Sequence, residues 1–273
     1  MTLDRSAEQY LFFAEELGLW AIDRIASHRA TGTSTKSGPA DLLTETDLAV
    51  EEHVREQIRF WFPDHGIVGE ELGATGPQGG HVWYIDPVDG TTNYAHGLPW
   101  ASFSLAVADA QGPVAGVVAD PFRGELFSAR RGQGARRNGV PIRCAGTASL
   151  EGGVLLTEWA GHLPWEGMTE MLVALSAQHC TTRIMGSSAL SLASVAAGRA
   201  TAVVLGGYNT HDVLAGVLIA RESGARVLGR SGDDAPALPT YADGGLLAAG
   251  PAAAATAWRA WQHPTDRIPT PRS

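Results

Sequence analysis

Asp86 and Asp89 close the stretch VWYIDPVD and are followed at once by Gly-Thr-Thr-Asn, so an apolar strand runs straight into negative charge. An isolated carboxylate is costly to desolvate and is found paired, hydrogen-bonded or on a metal. Two further acids stand at boundaries of the same kind: Glu70 in GEE after an apolar run, and Asp212 at the start of HDVLAGVLIARESG. Taken singly, each has an ordinary explanation. Asp212 is a helix N-cap, Glu70 a solvated loop acid, and Asp86 with Asp89 a turn closed by an Asx hydrogen bond. Taken together, hard oxygen donors at the ends of several elements are what Mg2+ requires, with water and a substrate phosphate completing its octahedron. Two such ions about 3.5–4 Å apart form a phosphoryl-transfer clamp. Gly90 and Thr91 can open a helix whose first N–H groups receive an anion. The strand would end in charge because cations sit there, with Gly90 and Thr91 holding the phosphate beside them.

Other chemistries fail on spacing. GQGARRNG has Arg137 where a dinucleotide fingerprint needs its third glycine, and its surroundings are hairpin-like. GSSAL lacks the closing glycine of a nucleophile elbow. The aspartates are spaced D-x-x-D, whereas a covalent aspartyl-phosphate phosphatase of the haloacid dehalogenase type shows D-x-D.

The elements that must position these residues can be read from periodicity. Tyr10, Phe13, Ala14, Leu17, Trp20, Ala21 and Ile25 recur at helical spacing, predicting a helix from about Asp4 to Ser27. HRATGTSTKSGPAD reads as a loop or hairpin tip. A second helix is expected over Thr46 to Phe60, with Asp47 in its first turn, where a negative charge suits the helix dipole. GIVGEELG, HVWYID, ASFSLAVAD, GPVAGVVADP and GELFSARRG read as strands of an antiparallel sheet. From about Thr147 short strands (GGVLLTEW, TTRIMG, TAVVLGG) alternate with helices (MTEMLVALSAQ, SALSLASVAAG, DVLAGVLIARESG), an α/β pattern. The expected organisation is an N-terminal α+β lobe over 1–146 carrying the metal and phosphate site. A C-terminal α/β lobe over 147–262 completes it, and a flexible Pro-rich tail spans 263–273.

Composition narrows the partners. With 273 residues, 44% hydrophobic and 18% charged, the chain can bury a large core and is not disordered. A formal net charge of -9 argues against a nucleic-acid partner. Cys144 and Cys180 have no metal-type spacing, which fits a reducing, cytoplasmic setting, with one disulfide as the alternative. Acids within the first apolar stretch exclude a signal peptide, and no run approaches membrane-spanning length.

With these motifs on the page, the chain resembles the inositol monophosphatase family. The resemblance runs from TKSGPADLLTETD through GEE, WYIDPVDGTTNYAHGLPW and GVVADPFRGELFSARRGQGARRNG to HDVLAGVLIARESGA. It implies a layered α-β-α-β-α sandwich with an antiparallel N-terminal sheet and a smaller mixed C-terminal sheet. It also implies Mg2+-dependent phosphomonoester hydrolysis with two or three ions, lithium sensitivity and a homodimer. Carried over by position, Glu70, Asp86, Asp89 and Asp212 would be metal ligands, with Val88 giving its backbone carbonyl. Asp47, Thr91 and Glu70 would be the catalytic groups, Asp47 and Thr91 orienting and deprotonating the attacking water. Gly90 and Thr91 would hold the phosphate, and Lys36 stands where the family often has a lysine near its mobile metal loop.

The departures concern the alcohol. Seven residues before Asp212, inositol-specific members have a glutamate for ring hydroxyls; here the position is Leu205, which cannot make those bonds. His211 stands where the family usually has tryptophan, either as a packing substitute or in contact with the leaving group. Ser187 and Ser188 fall where members touch the alcohol. The expected activity is hydrolysis of a small phosphorylated metabolite, an inositol, histidinol, sugar or nucleotide phosphate. The alternative is a non-catalytic metal- and phosphate-binding module of the same fold.

Overall fold

The computed structural model describes residues 5–27, 32–36, 38, 42–77, 79–147, 149–240 and 243–262. Parts of the loop expected at 28–41 and the whole tail 263–273 lie outside the described residues.

Two helices open the chain, α1 (Arg5–Ser27) and α2 (Glu45–Trp61), with a small hairpin of β1 (Ser34–Thr35) and β2 (Leu42–Leu43) between them. The first large sheet contains β3 (Gly66–Gly69), β4 (Gly73–Thr75), β5 (Val82–Asp89), β6 (Ser102–Asp109), β7 (Gly112–Asp120), β8 (Glu125–Arg130), β9 (Ala135–Arg137) and β10 (Val140–Ile142). Its order is β10-β9-β8-β7-β6-β5-β3-β4, and the short helix α3 (Thr91–Ala95) leaves the end of β5. The second sheet, in the order β12-β11-β13-β15-β14, contains β11 (Val154–Glu158), β12 (Thr181–Ile184), β13 (Ala202–Leu205), β14 (Arg226–Gly229) and β15 (Leu246–Ala249). Four helices accompany it: α4 (Met168–Ala177), α5 (Ser188–Ala196), α6 (Thr210–Glu222) and α7 (Pro251–Gln262).

The layers follow from strand alternation, since successive side chains point to opposite faces. In β7, Ala115, Val117 and Ala119 join the core under α1 and α2, while Val118 faces α5 and α6. In β13, Val203 and Leu205 face α5 and α6, while Ala202 and Val204 face α4 and α7. Helices α5 and α6 therefore lie between two sheets, which is why they are apolar nearly all round: every residue of α5 is buried. Their tight seat on the first sheet depends on small residues. A Cβ at Gly116 would stand 3.2 Å from Cα of Ala215.

The first sheet differs from the expected antiparallel sheet in one pairing: β3 and β5 run parallel. Parallel neighbours place the ends of two strands side by side, and these are the two that end in acids. Strand β5 also continues through Asp89, with its register against β6 shifting between Asp86 and Asp89. Pro87, which lacks a ladder N–H, falls in that irregularity, as proline in a sheet must. Both cysteines are free thiols. Among the described residues no helix is long and apolar enough to cross a membrane.

Candidate active site

The site assembles where β3, β5, α2 and α6 all begin or end. Glu70 follows β3, and its N–H donates to Ile85 O at 3.1 Å, which sets it beside Asp86 on the parallel neighbour. Across the sheet Asp86 faces Ser104 of β6, whose hydroxyl donates to His211 O at 3.2 Å. That bond ties the start of α6, and with it Asp212, to the end of β5. The carboxylates of Glu70, Asp89 and Asp212 all act on Asp86. Burial first, then their repulsion, push its pKa well above the ordinary carboxylate range.

Each acid has a local reason for its place. Thr44 caps α2 in a capping box with Asp47: Thr44 N donates to Asp47 Oδ2 at 3.0 Å, and Thr44 Oγ1 also contacts that oxygen. The other oxygen is left for Thr91, whose Oγ1 lies 3.1 Å from Asp47 Oδ1 and 3.0 Å from Val88 O. Burial raises the Asp47 pKa, and the bonds from Thr44 and Thr91 oppose the rise. Asp212 closes a second capping box on α6, accepting from Asn209 N at 2.7 Å. Asp89 accepts from Ser187 Oγ at 2.6 Å, Ala189 N at 2.7 Å and Ser188 N at 3.3 Å. Despite these donors, burial and the charge of Asp212 hold its pKa at about 8.

Glu70 and Glu71 share one ammonium: Lys36 Nζ lies 2.8 Å from Glu70 Oε1 and 2.5 Å from Glu71 Oε1. Burial lowers the lysine pKa, but its two carboxylates outweigh this and raise it overall. Burial in turn lifts Glu71 to about 7. The loop carrying both acids is held from below by a buried ion pair. Glu51, accepting from Arg55 Nε at 2.7 Å, also accepts from the N–H groups of Glu71 at 2.8 Å and Leu72 at 3.1 Å.

The acids open onto two adjoining cavities. One, of about 480 Å³, is lined by Lys36, Glu70, Asp89, Asp212, Ser188 and the buried Glu158 among others. The second, of about 470 Å³, includes Glu70, Gly90 and Thr91 and shares Trp159, His162 and Gly186 with the first. Gly90 adopts φ 97°, and a Cβ there would meet Gly186 O at 2.7 Å, so only glycine fits.

The donor set suits a hard divalent cation. Asp86 Oδ1 is buried with no hydrogen-bond partner among the described residues, and the carboxylates facing it repel one another. A cation relieves both conditions, and carboxylate oxygens are the ligands Mg2+ selects. Among the described residues no three of these side chains already close around one point as a cage. Lys36 holds Glu70, while Ser187 and Ala189 hold Asp89.

Two expectations are corrected, and His211 stands away from both cavities. Leu205 is fully buried in the core between the second sheet and α6, so it cannot touch a substrate; the strand that carries it ends there. Ser187 is 1% exposed, and its hydroxyl is spent on Asp89 and on the cap of α5 through Leu190 N at 3.2 Å. His211 lines neither cavity; its Nε2 lies 3.0 Å from Asp212 Oδ1 without the alignment of a hydrogen bond. Sequence reasoning also missed Glu158, although VLLTE carries the same signal as WYID, an apolar strand ending in an acid. Asn93 was missed as well: its Nδ2 bridges Trp100 O at 2.8 Å and Met185 O at 2.6 Å, joining the loops on either side of the site.

Comparison with known proteins shows what the chain resembles in sequence and in fold. The model of the inositol monophosphatase family matches residues 7–264. An inositol monophosphatase of Mesembryanthemum crystallinum is 36% identical over 205 residues, 72% of this chain and 76% of that protein. The Nus factor SuhB of Xylella fastidiosa is 40% identical over 203 residues, 72% of each chain. Among solved structures, the inositol monophosphatase of Anabaena (Nostoc) sp. PCC 7120 superposes with a TM-score of 0.81 at 33% identity, covering 93% of this chain and 95% of that one. A match over nearly the whole length, in sequence and in fold, means that the chain belongs to the inositol monophosphatase family.

Proposed function

We propose that this protein is a Mg2+-dependent phosphatase that hydrolyses the phosphomonoester of a small metabolite. The observation that carries the reading is the Thr91–Asp47 pair, a hydroxyl 3.1 Å from a buried carboxylate, set beside a cluster of acids that repel one another. Glu70, Asp86, Asp89 and Asp212, with the Val88 carbonyl, would hold two or three Mg2+ ions, whose chemistry is to neutralise charge on the phosphoryl oxygens and acidify water.

The protein's own part is to place the phosphate and to manage one proton. Gly90 and Thr91, at the start of α3, offer backbone N–H groups to the phosphate. Thr91 Oγ1 orients the attacking water and passes its proton towards Asp47 Oδ1. Because Thr44 already occupies Asp47 Oδ2, the other oxygen is left to face Thr91. The raised Asp47 pKa makes it a better proton acceptor than an exposed aspartate. Direct displacement by water, without a phospho-enzyme, belongs to this reading, because the Thr91 hydroxyl and Asp47 serve to activate water rather than to attack phosphorus themselves. A homodimer, lithium inhibition and a cytoplasmic setting belong to the same reading.

The test is phosphate release by the purified protein with Mg2+ and with chelator. The panel is inositol 1-phosphate, histidinol phosphate, fructose 1,6-bisphosphate, sugar phosphates and adenosine 3′,5′-bisphosphate. Mg2+-dependent turnover that disappears in Asp89→Asn is the expected result. Mg2+ binding without turnover of any ester would favour the non-catalytic binding module.

A further inference from the structure

The reaction as derived leaves one side of the larger cavity unused. Strands β11, β12 and β13 run parallel, and the cavity is lined from their carboxyl ends, the place where α/β sheets present ligands. Glu158 closes β11 there. It is 5% exposed and accepts from Ser191 Oγ at 2.7 Å and Gly186 N at 2.5 Å, both neutral donors. Among the described residues no cation pairs with it, and an unpaired buried carboxylate is costly.

Two aromatic residues line the same cavity. Tyr208 is 5% exposed and forms part of the wall, packed into the core between the second sheet and α6. Trp159 is 43% exposed. Glu158 is held by neutral donors alone, so a cation entering the cavity would be the first opposite charge to meet it. A carboxylate and an exposed indole lining one cavity match a cation better than a neutral or anionic group. Glu70, Asp89 and Asp212, the other acids of the cavity, are taken by the metal reading, so Glu158 is the acid left to face the alcohol.

We propose that Glu158, Tyr208 and Trp159 form a subsite for the alcohol end of the substrate, and that it prefers a leaving group carrying a protonated nitrogen over a neutral polyol or a second phosphate. This rests on the phosphomonoesterase reading above and names its substrate class. Two matched ester pairs differ only by an ammonium in place of a hydroxyl: glucosamine 6-phosphate against glucose 6-phosphate, and serinol phosphate against glycerol phosphate. Fructose 1,6-bisphosphate serves as the doubly anionic comparison.

The expected result is a kcat/KM at least tenfold higher for the cationic member of one or both pairs, with the bisphosphate poorest. Glu158→Gln removes the charge and keeps the loop, because the amide oxygen can still accept from Gly186 N–H while its NH2 donates to Ser191 Oγ. That variant should bring the cationic-to-neutral ratio close to one, chiefly through KM; a purely structural Glu158 would leave the ratio where it was. Binding of free glucosamine and glucose, in the presence of Mg2+ and inorganic phosphate, is read in parallel by ligand-detected NMR. Turnover with equal rates in both pairs, or a ratio untouched by Glu158→Gln, overturns the subsite and leaves the phosphatase standing. No turnover, with glucosamine still bound in preference to glucose and that preference lost in Glu158→Gln, supports the subsite and removes the phosphatase. No turnover and no preference overturns both.

Discussion

Ser187 Oγ lies 2.6 Å from Asp89 Oδ2, a bond that joins the end of β5 to the start of α5 across 98 residues of chain. The same hydroxyl caps α5 through Leu190 N. Ser187→Ala removes both at once. Losing a helix cap costs about 0.5–2 kcal/mol, and losing a hydrogen bond to a charged group costs about 1.5–3 kcal/mol. A drop of about 2–5 kcal/mol in unfolding free energy is expected from urea denaturation. Because Asp89 also loses its shortest hydrogen bond while keeping those from Ala189 N and Ser188 N, kcat/KM should fall with it, which a variant damaged only in its helix cap would not show.

The Asp47–Thr91 pair separates catalysis from folding. Asp47→Asn can still accept from Thr44 through its amide oxygen, so α2 remains capped. It can no longer take a proton through Thr91. General-base loss is worth about 10²–10⁴ in rate, and kcat should drop by that order while the melting temperature moves little. Thr91→Val should give a comparable loss of kcat. Variants that lowered the melting temperature in proportion to kcat would point to a structural role alone.

The acid cluster makes the metal-free protein sensitive to pH in a direction opposite to an ordinary salt-bridged carboxylate. Burial first, then the charge of Asp212, raise Asp89 from its ordinary 3.8 to about 8, with Ser187 opposing. The native state therefore binds the proton more tightly than the unfolded chain. Its contribution is fully present below about pH 4 and is lost as pH rises through about 8. In chelator the midpoint of unfolding should fall between about pH 4 and 8 on this account. Saturating Mg2+ should flatten that slope and raise the midpoint at pH 8, as a ligand confined to the native state does. Asp89→Asn should remove most of both effects in differential scanning fluorimetry.

How much of this was legible beforehand can be judged residue by residue. Asp86, Asp89, Glu70 and Asp212 showed themselves because charge at the end of an apolar run is a local signal. Helices α1 and α2 showed themselves because their buried faces repeat at helical spacing. The parallel pairing of β3 and β5 did not, since strand direction is decided by a crossover and leaves no mark on either strand. Ser187 was read as a substrate contact because its neighbourhood was visible and its partner, 98 residues away, was not. Leu205 was placed by counting back from Asp212, and a count cannot tell a pocket wall from the core behind it. Glu158 was overlooked although its signal was present, because nothing in VLLTE says where that strand ends in space.

Glu51 and Arg55 show that the site depends on residues that never reach it. Both are buried, Glu51 fully and Arg55 to within 2%, and Arg55 also donates to Thr75 Oγ1 at 3.0 Å and to Gly73 O. The pair thus holds both arms of the loop that carries Glu70 and Glu71. Arg55→Ala strands a buried carboxylate, which costs about 3–5 kcal/mol where one partner of a buried pair is lost. Removing both charges together, as in Glu51→Gln with Arg55→Met, should cost less, because no lone charge remains. In both variants the loop loses part of its anchorage, so Mg2+ affinity by calorimetry should fall. The double variant should recover stability relative to Arg55→Ala without recovering that affinity. A double variant that bound Mg2+ as tightly as the parent would show that the pair serves stability alone and that the position of Glu70 is fixed by β3 and β5.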